Sequence, residues 1–354
     1  MKRLIVCCDG TWNSADQQSN HVPCPTNVIK MAYRVAKSDG AVAQLIFYDQ
    51  GVGTGNFVDR VSGGAFGGGL IDNIFDGYRF LIANYEPGDE LFVFGFSRGA
   101  FTARSLCGMV RKCGILRRES VMHYHEALEL YRLADVHPDD DRARDFRREH
   151  GVTGEEPIGV TFLGVWDTVG ALGIPLRGLR WLTRRKYQFH DTELSGCVKR
   201  AWQALAIDEH RGPFAPTLWD YVPKPGQQVQ QTWFIGAHSD VGGGYPDSGL
   251  SDIALEWMIE GARQAGLAFD ERVMAAHPLK PDPLAGIHDS RKGIYRVVPS
   301  IDRLIGRCSG ADAVADPTQA VHETVMERWS RVSTYRPCGL AEFLGTGRGA
   351  GALA

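Results

Sequence analysis

The sequence lacks the features that would assign it to several common protein classes. A net charge of −3 over 354 residues gives no basic surplus for binding nucleic acid. No apolar run approaches the roughly 20 residues of a membrane-spanning helix, and the one at the amino terminus stops at Asp9-Gly10, too early for a signal peptide. The eight cysteines include no Cys-x-x-Cys pair, which favours reduced thiols over a disulfide framework. We therefore expect a protein that is cytoplasmic as synthesised and has no nucleic-acid partner.

Predicted strands and helices alternate along the chain. Hydrophobic residues make up 44% of the sequence, which is enough for a large core. Apolar runs predict strands at 4–8, 43–48, 91–94, 157–166 and 232–235. Helical periodicity predicts helices capped by Thr26 and Ser251, and further helices at 70–85, 100–110, 126–133, 141–149 and 196–207. This order indicates an α/β fold with a mostly parallel central sheet, helices on both faces and helical insertions.

The stretch Gly95-Phe-Ser-Arg-Gly99 lies between a predicted buried strand and a predicted helix. Strand, Gly-x-Ser-x-Gly and helix form the nucleophile elbow of α/β-hydrolases. Small residues are needed there because strand and helix approach closely around a strained turn. The turn would present the Ser97 hydroxyl at a helix N-terminus, where backbone N–H groups face a developing negative charge. We predict that Ser97 is a nucleophile.

Two further strand ends carry candidate catalytic groups. Asp167 follows the fourth predicted strand, and His238 follows the fifth in a glycine-rich loop. Parallel strands end at one edge of a sheet, and the chain order Ser, Asp, His is that of α/β-hydrolases. We predict a triad in which His238 is the base and Asp167 orients it. Two simpler interpretations stay open, in which Asp167 caps a turn and His238 is a core histidine.

The loop after the first strand is a candidate oxyanion site. The backbone N–H of Arg98, directly after the nucleophile, is the expected first donor, and Gly10 or Thr11 is the expected second. Asp9 and Asp240 are candidate supporting residues, although Asp240 is expected to bond mainly to loop backbone. The spacing around His238 fits neither a zinc site nor an EF-hand, and the predicted chemistry needs no metal and no cofactor.

Four ordered motifs resemble those of a bacterial and fungal α/β-hydrolase family. They are Cys8-Asp-Gly-Thr-Trp-Asn13, Gly95-Phe-Ser-Arg-Gly-Ala100, Gly164-Val-Trp-Asp-Thr-Val169 and Gly236-Ala-His-Ser-Asp-Val-Gly-Gly-Gly-Tyr245. The family includes the type VI lipase effector 1 phospholipases of type VI secretion. The resemblance extends to Asp208-Glu209 with Arg211, to 322–328 and to Tyr335-Arg-Pro. It implies a serine esterase acting on phospholipid acyl esters, with the triad at Ser97, Asp167 and His238. It also makes a secretion apparatus or an immunity protein a candidate partner, and delivery to a target-cell periplasm or membrane a candidate fate.

The remaining segments are assigned by composition. We expect one α/β-hydrolase domain over 1–340, a polar helical insertion over about 116–156, and a flexible tail over 341–354. The glycine-rich stretch 51–70 is expected to form a flexible loop over the site. The basic and apolar stretch 171–196 fits either a transient contact with an anionic membrane surface or an ordinary lid or connection. Two other functions stay open, namely hydrolysis of a soluble ester or thioester, and a non-catalytic binding module.

Overall fold

The computed structural model describes residues 1–10, 18–19, 21–51, 65–170, 194–220, 224–296, 299–307 and 316–345. Within these residues the strands are β1 Arg3–Cys8, β2 Gln18–Ser19, β3 Val22–Pro23, β4 Ser38–Asp39, β5 Val42–Asp49, β6 Glu90–Phe96, β7 Val160–Trp166, β8 Val198–Ala206, β9 Gln228–Phe234 and β10 Gln319–Val321. The α-helices are α1 Asn27–Arg34, α2 Ala65–Asn84, α3 Arg98–Cys113, α4 Tyr124–Arg132, α5 Asp141–His150, α6 His238–Gly242, α7 Gly249–Gln264, α8 Glu271–Ala276, α9 Glu323–Arg331 and α10 Cys338–Phe343.

Eight of the strands form one sheet in the order β10-β9-β8-β7-β6-β1-β5-β4. Neighbouring strands pair in parallel from β10 through to β5, and only the two-residue edge strand β4 is antiparallel. The predicted mostly parallel sheet is confirmed. The parallel arrangement brings the carboxyl ends of β1, β6, β7, β8 and β9 to one edge of the molecule.

Alternating side chains of the central strands enter two separate cores. In β1, Leu4, Val6 and Cys8 join the core that contains α2, α3 and α4. Ile5 and Cys7 point to the opposite face and join the core that contains α1 and α7. This alternation follows from the two-residue period of a strand, and it explains why the buried strands read as continuous apolar runs. The prediction of helices on both faces is therefore confirmed.

Two local predictions were wrong. Residues 196–207 were expected to form a helix, but Val198–Ala206 is a strand between β7 and β9. Its alanines and Gln203 suit a helix, yet six consecutive residues of the strand are buried, and sheet pairing overrides this weak propensity. Ser251 was expected to cap the following helix, which instead begins at Gly249 after Ser248. Thr26 does cap α1, because its side chain accepts a hydrogen bond from the Ile29 N–H.

The other composition-based assignments can be compared with the structure only in part. The insertion contains a 3₁₀ helix, Arg118–His123, followed by α4 and α5. The last helix runs to Phe343, two residues past the predicted start of the tail. Most of the predicted glycine-rich loop (52–64), the predicted lid or interface segment from 171 to 193, and the tail from 346 onward lie outside the described residues. No helix among the described residues is long and apolar enough to cross a bilayer.

The turn between β6 and α3 is strained and closely packed. Ser97 has a φ of 59°, which a non-glycine residue rarely adopts. A Cβ atom at Gly95 would lie 2.5 Å from the Gly99 carbonyl oxygen. A Cβ atom at Gly99 would lie 2.2 Å from the Cys8 carbonyl oxygen and 2.3 Å from that of Asp9. Both glycines are therefore required by backbone contacts, and the N-terminus of α3 lies directly against the end of β1.

Replacing Gly99 with alanine tests this close approach. Gly99→Ala is expected to lower the free energy of unfolding by about 3 kcal/mol or more, because the new methyl group would overlap backbone that cannot move independently. Gly286→Ala is the matched control, since a Cβ there meets no atom within 4 Å, and its effect should stay within about 0.5 kcal/mol. Denaturant unfolding of both variants is the measurement. Equal stabilities would contradict the packing described.

Candidate active site

Three chemically active side chains meet at the carboxyl edge of the sheet. Ser97 follows β6, Asp167 follows the adjacent β7, and His238 begins α6 after β9. Residues 97 and 167 both have positive φ, at 59° and 40°. Such strained backbone is stable only when the surroundings hold it, and it concentrates at functional sites.

A continuous chain of hydrogen bonds joins the three side chains. The His238 Nδ1 atom lies 2.6 Å from Asp167 Oδ2, and His238 Nε2 lies 2.8 Å from Ser97 Oγ. An ionised carboxylate can only accept hydrogen bonds, so Nδ1 carries the proton and Nε2 is left to accept from the serine hydroxyl. All three residues are buried. This arrangement can remove a proton from Ser97 during nucleophilic attack.

Among the described residues, the Asp167 carboxylate has two hydrogen-bond partners besides His238, namely Ala206 and Arg303. The Ala206 N–H donates to Asp167 Oδ1 at 3.0 Å. Arg303 donates to both carboxylate oxygens, from Nη1 to Oδ1 at 2.6 Å and from Nη2 to Oδ2 at 3.0 Å. The side chains of Asp167 and Arg303 are both fully buried. Arg303 is fixed in turn, because it donates to the Ala206 and Phe214 carbonyl oxygens at 2.8 and 2.6 Å.

These contacts keep the buried carboxyl group charged. Burial alone would raise the pKa of Asp167, but the positive charge of Arg303 and the hydrogen bonds from His238 and Arg303 outweigh it and hold that pKa well below its usual range. A carboxylate that stays ionised can fix the imidazole tautomer and stabilise an imidazolium.

Aromatic rings enclose the imidazole of His238. The Phe96 ring centroid lies 4.6 Å from that of His238, and the Phe214 ring meets it edge-on at 5.0 Å. A Cβ atom at Gly242 would lie 2.0 Å from a Phe96 ring atom, so the glycine lets the loop close over this ring. The guanidinium of Arg211 lies 3.5 Å from the Phe214 ring centroid. The His238 imidazole is therefore shielded from water on the sides of these two rings.

Glu209 binds both Arg211 and the backbone of His238. Its carboxylate accepts hydrogen bonds from Arg211 Nε and Nη2 at 2.9 and 2.8 Å, and one from Ser290 Oγ at 3.0 Å. It also accepts from the His238 backbone N–H at 3.3 Å. Burial would raise the pKa of Glu209, but the hydrogen bond and charge of Arg211 lower it below the usual range. Glu209 thus links the backbone of His238 to Arg211.

The loop after β1 lies beside the nucleophile. Asp9 is buried, and its carboxylate accepts hydrogen bonds from Thr26 Oγ1 at 2.6 Å, Tyr48 Oη at 2.7 Å and the Gly10 N–H at 2.7 Å. The Gly10 N–H is therefore already bonded to Asp9. Arg98 is the first residue of α3 and directly follows Ser97. Thr11, the other candidate donor, lies outside the described residues.

Asp240 bonds away from His238. Its Oδ2 accepts from the Ala237 and His288 N–H groups at 2.9 and 3.1 Å, and its Oδ1 lies 2.6 Å from His288 Nδ1. It therefore shapes the loop that carries His238, as expected of an Asp near glycine turns. The Asp208 carboxylate accepts from the Gly236 N–H at 2.7 Å and from Tyr335 Oη at 3.1 Å, which joins three of the segments that carry the resemblance.

Arg303 and His288 were missed by sequence reasoning. Both lie in the stretch 268–320, which is rich in proline and glycine and shows little periodicity. Arg303 follows no strand, so the rule that places catalytic groups at strand ends does not find it. The one available signal is chemical, since a fully buried aspartate requires a cationic partner.

The free energy of unfolding at acidic pH should depend on the charge of Asp167. Its pKa is lower in the folded than in the unfolded chain, where it is about 3.9. The carboxylate therefore contributes stability that is fully present above about pH 5 and is lost progressively as the pH falls below about 4. The advantage of the wild type over Asp167→Asn in free energy of unfolding should be constant from pH 8 to 5 and shrink towards pH 3. Denaturant unfolding across that range is the measurement, and an advantage that grows on acidification would contradict the assignment.

Removing Arg303 should be costly because it leaves a buried negative charge. Arg303→Met is expected to lower the free energy of unfolding by about 3–5 kcal/mol at pH 7, and Arg303→Lys by less, since a lysine keeps the charge but not the two-pronged contact. Arg307→Met is the matched control, because Arg307 belongs to the same segment but has an exposed side chain paired with Glu342. That control should change stability by less than about 1 kcal/mol. Similar losses for Arg303→Met and Arg307→Met would contradict the role assigned to Arg303.

Several known proteins are similar to this chain. Over 248 residues it is 28% identical to a protein of Saccharomyces cerevisiae described as uncharacterized, covering 63% of this chain and 34% of the yeast protein. Among solved structures, an uncharacterized protein from Pseudomonas aeruginosa shares 20% identity at a TM-score of 0.43, over 76% of this chain and 46% of the other. A Tle1 effector bound to the VgrG spike of the type 6 secretion system shares 21% identity at a TM-score of 0.40, over 69% and 51% of the two chains. The chain thus spans about a third of the yeast protein and about half of each solved chain.

Residues 2–261 match the family model described as the catalytic domain of Tle1-like phospholipase effectors of the type VI secretion system (T6SS). The matched range contains Ser97, Asp167 and His238 together with all four motifs that carry the resemblance. Because the match covers well over half of the sequence, the chain belongs to the family of T6SS Tle1-like phospholipase effector catalytic domains.

Proposed function

We propose that the protein is a serine esterase that hydrolyses phospholipid acyl esters through an acyl-enzyme. The observation that carries this proposal is the hydrogen-bonded chain from Ser97 through His238 to Asp167, with distances of 2.8 and 2.6 Å. Its order and strand-end positions are those of α/β-hydrolases. A serine hydroxyl needs an adjacent base to attack an ester at neutral pH, and His238 Nε2 is placed to be that base.

The first half-reaction forms the acyl-enzyme. Ser97 Oγ attacks the carbonyl carbon of the ester while its proton passes to His238 Nε2, and the carbonyl π electrons move to oxygen. Asp167 stabilises the imidazolium through Nδ1, supported by Arg303. The tetrahedral intermediate then collapses, and the proton on Nε2 passes to the leaving alkoxide. The products of this step are an acylated Ser97 and an alcohol, which for a diacyl phospholipid is a lysophospholipid.

The oxyanion is held by backbone donors at the start of α3. We propose the Arg98 N–H as the first donor, because it directly follows the nucleophile at a helix N-terminus. Gly10 or Thr11 remains the proposed second donor, since the loop after β1 lies against Gly99. If Gly10 is the second donor, its N–H must break its hydrogen bond to the Asp9 carboxylate and donate to the oxyanion instead. Each such donor is typically worth about 3 kcal/mol in the transition state.

The second half-reaction releases the acid. Water attacks the acyl carbonyl carbon while His238 takes one of its protons, and the intermediate expels Ser97 Oγ, which recovers that proton. A fatty acid leaves, and the enzyme returns to its starting state. This cycle uses the chain's own residues and needs no cofactor.

The choice of phospholipid as substrate depends on family membership, since the family description names phospholipase effectors. A phospholipase A activity is the corresponding reaction, because an oxygen ester of a fatty acid is the bond that this chemistry cleaves. Hydrolysis of a soluble ester or thioester is the second candidate, because the same three residues would catalyse it. Export by a type VI apparatus follows from the same description and belongs to the proposal. Action in a target-cell periplasm or membrane and an immunity-protein partner are added to the proposal as what the resemblance implies.

Active-site labelling tests the nucleophile. A fluorophosphonate probe should label the wild type at Ser97, should label His238→Ala about 10⁶-fold more slowly because the base is lost, and should not label Ser97→Ala. Ser330→Ala is the matched control, since Ser330 is an exposed serine on α9, and it should be labelled like the wild type. An unlabelled wild type would move the protein to the class of non-catalytic binding modules.

Lipid product analysis tests the substrate. Diacyl phospholipid vesicles incubated with the wild type should yield fatty acid and lysophospholipid in equal amounts by mass spectrometry, and Ser97→Ala should yield about 10⁶-fold less. A soluble short-chain acyl ester is assayed in parallel. If the enzyme hydrolyses the soluble ester but leaves the vesicle lipids intact, the soluble-substrate candidate is favoured. Equal lipid hydrolysis by the wild type and Ser97→Ala would exclude the serine mechanism.

A further inference from the structure

Two histidines and a glutamate converge on the helical insertion, remote from the triad. His123 ends the 3₁₀ helix Arg118–His123, Glu126 lies in the first turn of α4, and His150 ends α5. Each offers one metal-binding atom, and these three atoms all lie within 4.8 Å of one another. Nothing in the proposed hydrolysis uses these residues.

The side chains present a compact donor set. The imidazoles of His123 and His150 stack with centroids 4.0 Å apart and an interplanar angle of 25°. His123 Nδ1 lies 3.0 Å from Glu126 Oε2. The Glu149 carboxylate lies 3.9 Å from His150 Nε2, which adds negative charge beside the cluster. Two imidazole nitrogens and one carboxylate oxygen form a set that binds Zn²⁺ and similar borderline divalent cations, with water completing the coordination.

One side of the cluster is fixed and the other can adjust. His150 is buried, and its ring packs 4.9 Å from that of Phe146. Its carbonyl oxygen accepts a hydrogen bond from the Arg117 N–H at 2.9 Å, which ties the end of α5 to the start of the insertion. The His123 side chain is 45% exposed, so its ring can tilt out of the stack towards a shared cation. Fixed placement of one ligand reduces the entropy lost when the metal binds.

The position of the cluster indicates a structural role. The insertion packs against the C-terminal end of α3, where Arg147 Nη1 donates to the Lys112 carbonyl oxygen at 2.9 Å. Ser97 precedes the opposite end of this 16-residue helix, a rise of about 24 Å away. A cation at the cluster would join the start of α4 to the end of α5 without contacting the triad.

We propose that His123, Glu126 and His150 form a binding site for one Zn²⁺ ion that clamps the helical insertion. The bound ion holds both ends of the segment from His123 to His150 together. It stabilises the folded chain because the unfolded chain does not bring the three ligands together.

The test uses the full chain after treatment with EDTA and removal of the chelator. Titration with Zn²⁺ at pH 7.5 in a calorimeter should give one saturable site with micromolar or tighter affinity. Saturating Zn²⁺ should raise the midpoint of thermal unfolding by roughly 3–5 °C. Co²⁺ at the same site should produce visible absorption bands of a low-symmetry, four-coordinate ion.

Matched variants assign the ligands. His123→Ala should bind Zn²⁺ at least tenfold more weakly and lose most of the thermal shift, and it should fold because the side chain is half exposed. His150→Ala should do the same. The controls are His125→Ala, an exposed neighbour whose ring contacts Tyr124 instead, and Cys338→Ser, which removes an exposed thiol. Both controls should keep the site. Absence of saturable binding by the wild type, or unchanged affinity in His123→Ala and His150→Ala, would overturn the proposal.

Discussion

The ion pair between Asp167 and Arg303 is the interaction on which the candidate active site depends. A carboxylate with no exposed surface cannot remain charged unless protein groups replace its water. Arg303 supplies a two-pronged contact and Ala206 supplies a backbone N–H, so Asp167 can face His238 as a charged acceptor. The same arginine bonds to the Ala206 and Phe214 carbonyl oxygens. The Arg303 side chain thus keeps Asp167 charged, and it also holds the end of β8 and the turn whose phenylalanine packs against His238.

Much of the fold could be predicted because the central strands are buried on both faces. Continuous apolar runs revealed β1, β6 and β7, and the alternation of strands with amphipathic helices predicted the parallel sheet. The segment from Val198 to Ala206 was wrongly predicted as a helix, because alanine and glutamine favour a helix when the neighbouring strands are not considered. Its strand conformation is imposed by pairing with β7 and β9, which is long-range information that a local window does not contain.

The placement of the candidate site was predictable for a topological reason. Ser97, Asp167 and His238 each follow a strand, and parallel strands bring such positions to one edge whatever their separation in sequence. Arg303 could not be found in this way, because it lies in an irregular segment whose path is set by what it touches. The same holds for His123 and His150, which are 27 positions apart and are brought together by the packing of α4 and α5 on α3.

The segment that follows α7 supplies partners to the candidate active site, although Ser97, Asp167 and His238 all precede that segment in the chain. Residues 2–261 match the catalytic-domain model and hold the three groups of the proposed triad, yet the cation that neutralises Asp167 comes from position 303. His288 bonds to Asp240 in helix α6, which begins with His238, and Tyr335 bonds to Asp208, which follows β8. A chain cut after residue 261 would lack Arg303 and leave Asp167 as an uncompensated buried charge. The energetic cost of such a charge is a large fraction of the total free energy of unfolding of a typical domain. The acid of the proposed triad and its stabilising cation are therefore one unit, built from two distant parts of the sequence.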